Sequence, residues 1–193
     1  ERVELARLSL GRRADTTLLL VAGAYAVAAL AALLQPAVGS RLVALVLVGL
    51  CAWLVRHDVA RRTIRSTGLP RFSAAAMLTG WGWLAVAAAT WAVVGPPTSR
   101  PAYDVVVHGV FLGFAMSMVL AHAPVILPAV VRRPLPYRPV LWLPLVALHV
   151  SLLARVAGDA LGADVLWRAG GVGTVLALLL LPVTLGAAAL LAG

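Results

Sequence analysis

Six long apolar stretches make up most of this 193-residue chain and decide what it can fold into. A helix needs about 20 predominantly apolar residues to cross the hydrocarbon core of a bilayer. The stretches cover residues 16–36, 39–55, 72–95, 103–131, 139–158 and 169–192, and they lack the polar–apolar alternation of barrel strands. The sequence therefore predicts an all-α polytopic membrane protein, a six-transmembrane-helix bundle formed by residues 16–193.

The positions of the arginines predict how these spans are oriented, since the chain contains no lysine. If the N-terminus lies inside, twelve of the 16 arginines fall on the cytoplasmic side. The positive-inside rule therefore places both termini in the cytoplasm, and the localisation we expect is the plasma or inner membrane. The net charge of +9 then reflects topology. Nucleic acid is not an expected partner, because the basic residues sit in short connectors without interleaved aromatic residues.

Two segments outside the spans are basic. Residues 1–15 place apolar side chains among arginines and predict a short cytoplasmic helix in the membrane interface. The loop of residues 56–71 contains a glycine and a proline near its end, as is typical of a surface turn, and we expect it to contact anionic lipid head groups. The first predicted span is too long, and too closely followed by the second, for a cleaved signal peptide, so we expect it in the mature protein.

Ionisable side chains are rare deep inside the predicted spans, because each needs a partner that hydrocarbon does not provide. Apart from residues at span ends, they are His108, His122, His149 and Arg155, all in the fourth and fifth spans. These four residues are therefore the candidates for a functional site.

Two of the histidines are predicted to lie at the same depth. If the fourth span ends near Val131, His122 lies about 13 Å into the membrane, and if the fifth starts near Pro139, His149 lies about 15 Å from the same side. His108 lies about 21 Å above His122 and on the same helix face, at about 100° per residue. We therefore expect His122 to face His149, with His108 near the outer surface.

The chemistry of imidazole indicates what this pair could hold. Neutral imidazole is a good axial ligand for haem iron and also suits copper. One interpretation is a b-type haem ligated by His122 and His149 between the fourth and fifth spans, with His108 as a candidate ligand for a second metal such as copper. Met118, one turn before His122, is either a thioether ligand or a core residue. The alternative for each histidine is a hydrogen bond to a neighbouring helix.

Arg155 is the only arginine predicted to lie well inside a span. It follows His149 by six residues, or about 9 Å, which is within reach of a haem propionate. The alternative is that Arg155 snorkels to the surface or pairs with Asp159 one turn later.

The fourth span resembles part of the NnrS family of haem- and copper-containing membrane proteins. The resemblance rests on an H-x4-G-F pattern at the start of the span, read as His108, Gly113 and Phe114, with Pro128 twenty residues after the histidine. It implies a haem or copper membrane protein linked to nitric oxide and denitrification, with His108 at a ligand position.

We therefore expect an integral membrane protein that binds haem b, with copper as a further candidate, and that serves respiratory electron transfer or nitric-oxide-related metabolism with a redox partner. The alternative is a cofactor-free accessory subunit that packs against other subunits of a larger respiratory or transport complex, as its small size and small residues such as Gly109 and Gly113 indicate. A third interpretation is a proton or ion pathway through the histidines. The other four spans offer it no charged partners at depth. Membrane lipids are expected partners in every case.

Overall fold

The computed structural model describes residues 12–132 and 137–190, with side chains over residues 15–132 and 137–187. Every regular element in these ranges is a helix. The α-helices are Arg12–Leu34, Pro36–His57, Ala60–Thr63, Gly68–Val94, Arg100–His108, Met116–Val131, Trp142–Ala160 and Asp164–Leu190, together with a π-helix at Gly109–Ala115 and a 3₁₀ turn at Pro139–Leu141.

Six helical stretches within these residues are long and apolar enough to cross a membrane. We number them as spans one to six: Asp15–Leu34, Pro36–His57, Gly68–Val94, Arg100–Val131, Pro139–Ala160 and Asp164–Ala187. The predicted all-α fold with six membrane helices is thus confirmed, and the protein is a multi-pass membrane protein. The predicted interfacial segment, residues 1–15, lies almost entirely outside the described residues.

One end of the bundle carries most of the described arginines. Arg56 and Arg71 flank the connection between spans two and three, and Arg132 follows span four. We call this end the arginine-rich side, and the other end the opposite side. The positive-inside rule predicts that the arginine-rich side faces the cytoplasm.

Span four is interrupted by the π-helix Gly109–Ala115. Its two glycines let span three approach closely, since a Cβ atom on Gly113 would overlap the side chain of Trp83 and one on Gly109 would lie 3.1 Å from Ala87 Cβ. A π-helix closes its hydrogen bonds from residue i to i+5 and so turns less per residue than an α-helix. The prediction that His108 and His122 share one face assumed an unbroken α-helix, and that premise does not hold.

The core lies among spans three to six, with one side of span two added to it. Phe72, Met77 and Leu148 are buried there, and Phe72 packs edge-on against Trp142 with ring centroids 5.7 Å apart. Spans five and six approach closely because a Cβ on Gly170 would overlap the backbone of Arg155. Tight packing through small residues is the usual means of helix association in lipid.

Span one stands apart from this core. It packs mainly against span two, with which it forms a hairpin. Only 6% of its apolar window is buried, compared with 28% for every other span. Ala28 is its one buried hydrophobic residue among the described side chains, while Leu33 and Leu34 are at least 80% exposed. The fold is therefore a bundle of spans three to six with a hairpin attached at the side of span three.

Candidate functional site

The first polar site joins spans four, five and six near the opposite side of the membrane. Asp104, only 3% exposed, accepts hydrogen bonds at Oδ1 from Arg155 Nε and Nη2, at 3.2 and 2.8 Å. Its Oδ2 accepts a bond from Trp167 Nε1 at 3.3 Å, and His108 Nδ1 lies 3.2 Å from Oδ1. We call Asp104, His108, Arg155 and Trp167 the Asp104 cluster. A charge-assisted network of this kind ties the ends of three spans together.

A second ion pair lies beside the Asp104 cluster. Arg100 Nε is 2.8 Å from Asp159 Oδ1, and the Arg100 guanidinium carbon lies 4.3 Å from the centre of the Trp167 ring. The Arg155 guanidinium carbon lies 4.6 Å from the same ring. Arg155 therefore pairs with Asp104, 51 residues away, and the carboxylate of Asp159 takes Arg100 instead.

The second polar site surrounds His149 between spans three, four and five. Trp83 Nε1 donates a hydrogen bond to His149 Nδ1 at 3.0 Å, and Ser117 Oγ lies 3.4 Å from His149 Nε2. Ser117 in turn donates to the carbonyl of Gly113. Because Nδ1 accepts from tryptophan, we assign the imidazole proton to Nε2, which then donates to Ser117. Both ring nitrogens of His149 are engaged by protein groups.

His122 lies in a different environment. Its Nδ1 is 2.7 Å from the carbonyl oxygen of Met118 on the same helix. The ring lines an apolar groove of about 570 Å³ between spans four and six, together with Ile126, Leu127, Leu181 and Pro182 among others. Among the described residues, the structure records no hydrogen bond to His122 Nε2, and this atom is not fully buried. An unpartnered ring nitrogen therefore borders an apolar groove.

The predicted pairing of His122 with His149 is not what the structure shows. His149 contacts Ser117, and His122 lies five residues, or about 7.5 Å, further along the same helix. The depth estimate assumed that span four ends, and span five begins, at the same depth in the membrane. The contact with Ser117 instead implies that span four reaches about one turn deeper into the arginine-rich side than the start of span five.

The other predicted site residues are placed as follows. His108 and Arg155 come together through Asp104 at the opposite side. The backbone of Met118 holds the His122 ring, and its side chain packs against span three, where a Cβ on Gly80 would lie 2.8 Å from Met118 Cε. Met118 therefore has the position of a core residue.

These positions bear on the expected haem and metals. A haem between spans four and five needs an imidazole nitrogen from each, but those of His149 are engaged by Trp83 and Ser117. Within the described residues, no group of three or more histidine, cysteine or acidic side chains is close enough to hold a metal ion. Ligation of haem by His122 and His149, and of copper by His108, stays a prediction to which this geometry adds no support.

Sequence reasoning missed the residues that partner the predicted ones. Asp104 stands four residues before His108, so the two share a helix face, and this spacing was a usable signal. The roles of Trp83, Ser117 and Trp167 depend on contacts across 32 to 66 residues of sequence, for which a single sequence gives no comparable signal.

The comparisons with known proteins give one match. A family model described as a domain of unknown function (DUF8744) matches residues 1–190, and the chain belongs to this family. No curated protein and no solved structure matches the chain.

Proposed function

We propose that this DUF8744 member is a protein of the plasma or inner membrane that binds a lipid-soluble hydroxyl compound, of which a quinol is the best example, beside His122. The observation that carries the proposal is that His122 Nε2 has no recorded hydrogen bond to a described residue and lies at the edge of an apolar groove. Apolar pockets with one or a few convergent polar groups are the usual form of small-molecule sites.

The hydrogen bonding of His122 indicates what the ligand must provide. The Met118 carbonyl can only accept, so Nδ1 carries the proton and Nε2 of the neutral ring is an acceptor. A ligand that completes this site must therefore donate a hydrogen bond. An oxidised quinone offers only carbonyl oxygens and would need the ring to be protonated. The neutral site therefore favours the reduced, hydroxyl-bearing form.

The position of the groove indicates where the ligand comes from. His122 lies nine residues, or about 13 Å, before the end of span four, deeper than phospholipid head groups reach. The groove walls are contributed by Ile126, Leu127 and Leu181 and are almost entirely apolar. A compound that dissolves in the bilayer and carries a hydroxyl on an apolar ring meets both requirements. Electron transfer by a quinol would agree with the respiratory role expected from the sequence.

The test compares two ligands on two proteins. The probe is a prenylated hydroquinone, and its control is the dimethyl ether of the same compound, which lacks the donors. When each compound is titrated onto the full chain in nanodiscs, the hydroquinone should bind more tightly than the ether. His122→Phe should weaken hydroquinone binding by about tenfold, the value of one buried hydrogen bond, and leave ether binding unchanged.

Two further variants test whether the acceptor nitrogen of His122 gives the preference for the hydroquinone. His122→Gln keeps an acceptor oxygen and should retain part of the preference for the hydroquinone. His57→Phe, at the end of span two, is the matched control and should have no effect, because His57 lies outside the groove. Equal binding of hydroquinone and ether to the unaltered protein would refute the proposal.

A second candidate function is that of an accessory subunit, and the exposure of span one favours it. Among the described residues, nothing beyond its own turn of helix lies within 4 Å of the Cβ position of Gly23, and Val27 on the same helix is 67% exposed. A photo-crosslinker at residue 23 in native membranes should give a discrete protein adduct. The same crosslinker at Val150 of span five, 58% exposed, should give lipid adducts only. Identical adducts at the two positions would count against this candidate.

A further inference from the structure

The connection between spans two and three holds a concave basic surface at the arginine-rich side. Four arginines line a pocket of about 560 Å³ there. Arg56 lies at the end of span two, Arg61 and Arg62 lie in the short helix Ala60–Thr63, and Arg65 follows this helix. We call these four residues the arginine pocket. We propose that the arginine pocket binds a phosphate group, either of an anionic lipid or of a soluble phosphate compound.

The backbone of the arginine pocket is held in place by the bundle. Ala60 is fully buried, and Ile64 packs against the core of the bundle. Asp58 Oδ1 accepts a hydrogen bond from the backbone N–H of Ala60 at 2.7 Å, and Ser66 Oγ donates to the carbonyl of Thr63. The loop is therefore tethered on its inner side while its arginines point outward, so a ligand does not have to order the backbone.

Within the part of the chain that the structure describes, the charges of the arginine pocket are not balanced by the residues around it. Asp58 is the only acidic side chain among the described residues that line the pocket, so four guanidinium groups face a single carboxylate there. The structure records no ion pair for these four arginines within residues 12–132 and 137–190. Converging cations repel each other, and an anion that binds among them relieves this repulsion. A phosphate matches the fork of the guanidinium group, which donates two parallel hydrogen bonds.

The position of the arginine pocket suits both sources of phosphate. Span two ends at His57, and span three begins at Gly68, so the loop lies where the apolar runs stop. His57 rests on Trp53, with ring centroids 5.1 Å apart, and donates from Nδ1 to the Trp53 carbonyl at 2.9 Å. Tryptophan is typical of the level of lipid head groups. Basic pockets at this level bind anionic head groups, and they are also open to the aqueous phase.

The experiment separates the two sources and uses the full chain. In one arm, the protein is reconstituted in phosphatidylcholine nanodiscs with or without cardiolipin, and retained cardiolipin is counted by native mass spectrometry. In the other arm, inorganic pyrophosphate is titrated onto protein in phosphatidylcholine alone. The pocket variant is Arg61→Gln with Arg62→Gln. The matched control is Arg71→Gln with Arg132→Gln, which removes the same charge from the same side outside the pocket.

The proposal predicts saturable binding in at least one arm. The pocket variant should weaken it by roughly thirtyfold, as expected for two arginines near an anionic surface, and the control variant by much less. Binding of cardiolipin alone identifies a lipid site, and binding of pyrophosphate alone identifies a soluble phosphate. Equal losses in the two variants, or no saturable binding in either arm, would overturn the proposal. All four arginines are exposed, so the variants should keep the helical circular dichroism of the unaltered protein.

Discussion

Asp104 is the residue on which the ends of three spans converge. Its carboxylate accepts bonds from Arg155 and Trp167 and lies 3.2 Å from His108 Nδ1. The side chains of Asp104 and Arg155 are 5% and 15% exposed, so neither charge is well solvated. Removing one member leaves the other buried without a partner, whereas replacing both with apolar residues avoids that penalty.

The prediction for this pair compares the loss of one partner with the replacement of both. Asp104→Ala should lower the free energy of unfolding by about 3–5 kcal/mol, because Arg155 stays buried and unpaired. The double variant Asp104→Leu with Arg155→Met should recover most of this loss. Asp164→Asn is the control, since Asp164 is 69% exposed, and it should have little effect. Unfolding in mixed micelles measures all four proteins. A double variant that is no more stable than Asp104→Ala would contradict the prediction.

At the scale of the helices, the π-helix of span four shows how a short segment sets the geometry of a site. Gly113 provides the space into which Trp83 fits, and Trp83 then reaches His149. The carbonyl of the same glycine accepts a bond from Ser117, which contacts the other nitrogen of His149. The hydrogen bonds of His149 therefore depend on the close approach of spans three and four.

This dependence predicts the effect of adding one methyl group. Gly113→Ala should destabilise the protein by about 1–3 kcal/mol, because the new Cβ overlaps the Trp83 side chain. Gly82→Ala in span three is the matched control and should be neutral or slightly stabilising, because no described residue beyond its own turn of helix lies within 4 Å of its Cβ position. The indole N–H resonance of Trp83 should also shift in the first variant only. Equal stabilities for the two variants would contradict this account.

The spans themselves could be predicted from the sequence, but the contacts between them could not. Hydropathy reports the transfer of each helix into lipid, which depends on local composition, so all six spans were found. Depth counted from the connectors placed His122 beside His149, although His149 contacts Ser117. Hydropathy does not change with a π-helix or with an offset of about one turn between antiparallel helices, so neither could be predicted from it. The partner of Arg155 was missed for a similar reason, because Asp104 lies on another span.

For the whole molecule, the structure divides the six spans into two parts of unequal packing. Spans three to six share the core, and spans four to six are joined by the Asp104 cluster. Span two contacts the core through residues such as Cys51, which is 2% exposed. Span one is mostly outside it. The contacts of Cys51 with the core are apolar, and apolar contact between helices brings little hydrophobic gain in lipid.

The hairpin of spans one and two should therefore separate from the bundle before the bundle itself unfolds. Cys51, the only cysteine of the chain, reports this event, because a membrane-permeant maleimide can label it only after the hairpin has moved away. Labelling should begin at a lower temperature than the change in tryptophan fluorescence that accompanies loss of the core. Asp104→Ala should lower the temperature of the fluorescence change and leave the onset of labelling where it was. If both transitions coincide in the unaltered protein and move together in the variant, then the six spans unfold as one cooperative unit and the division into two parts is wrong.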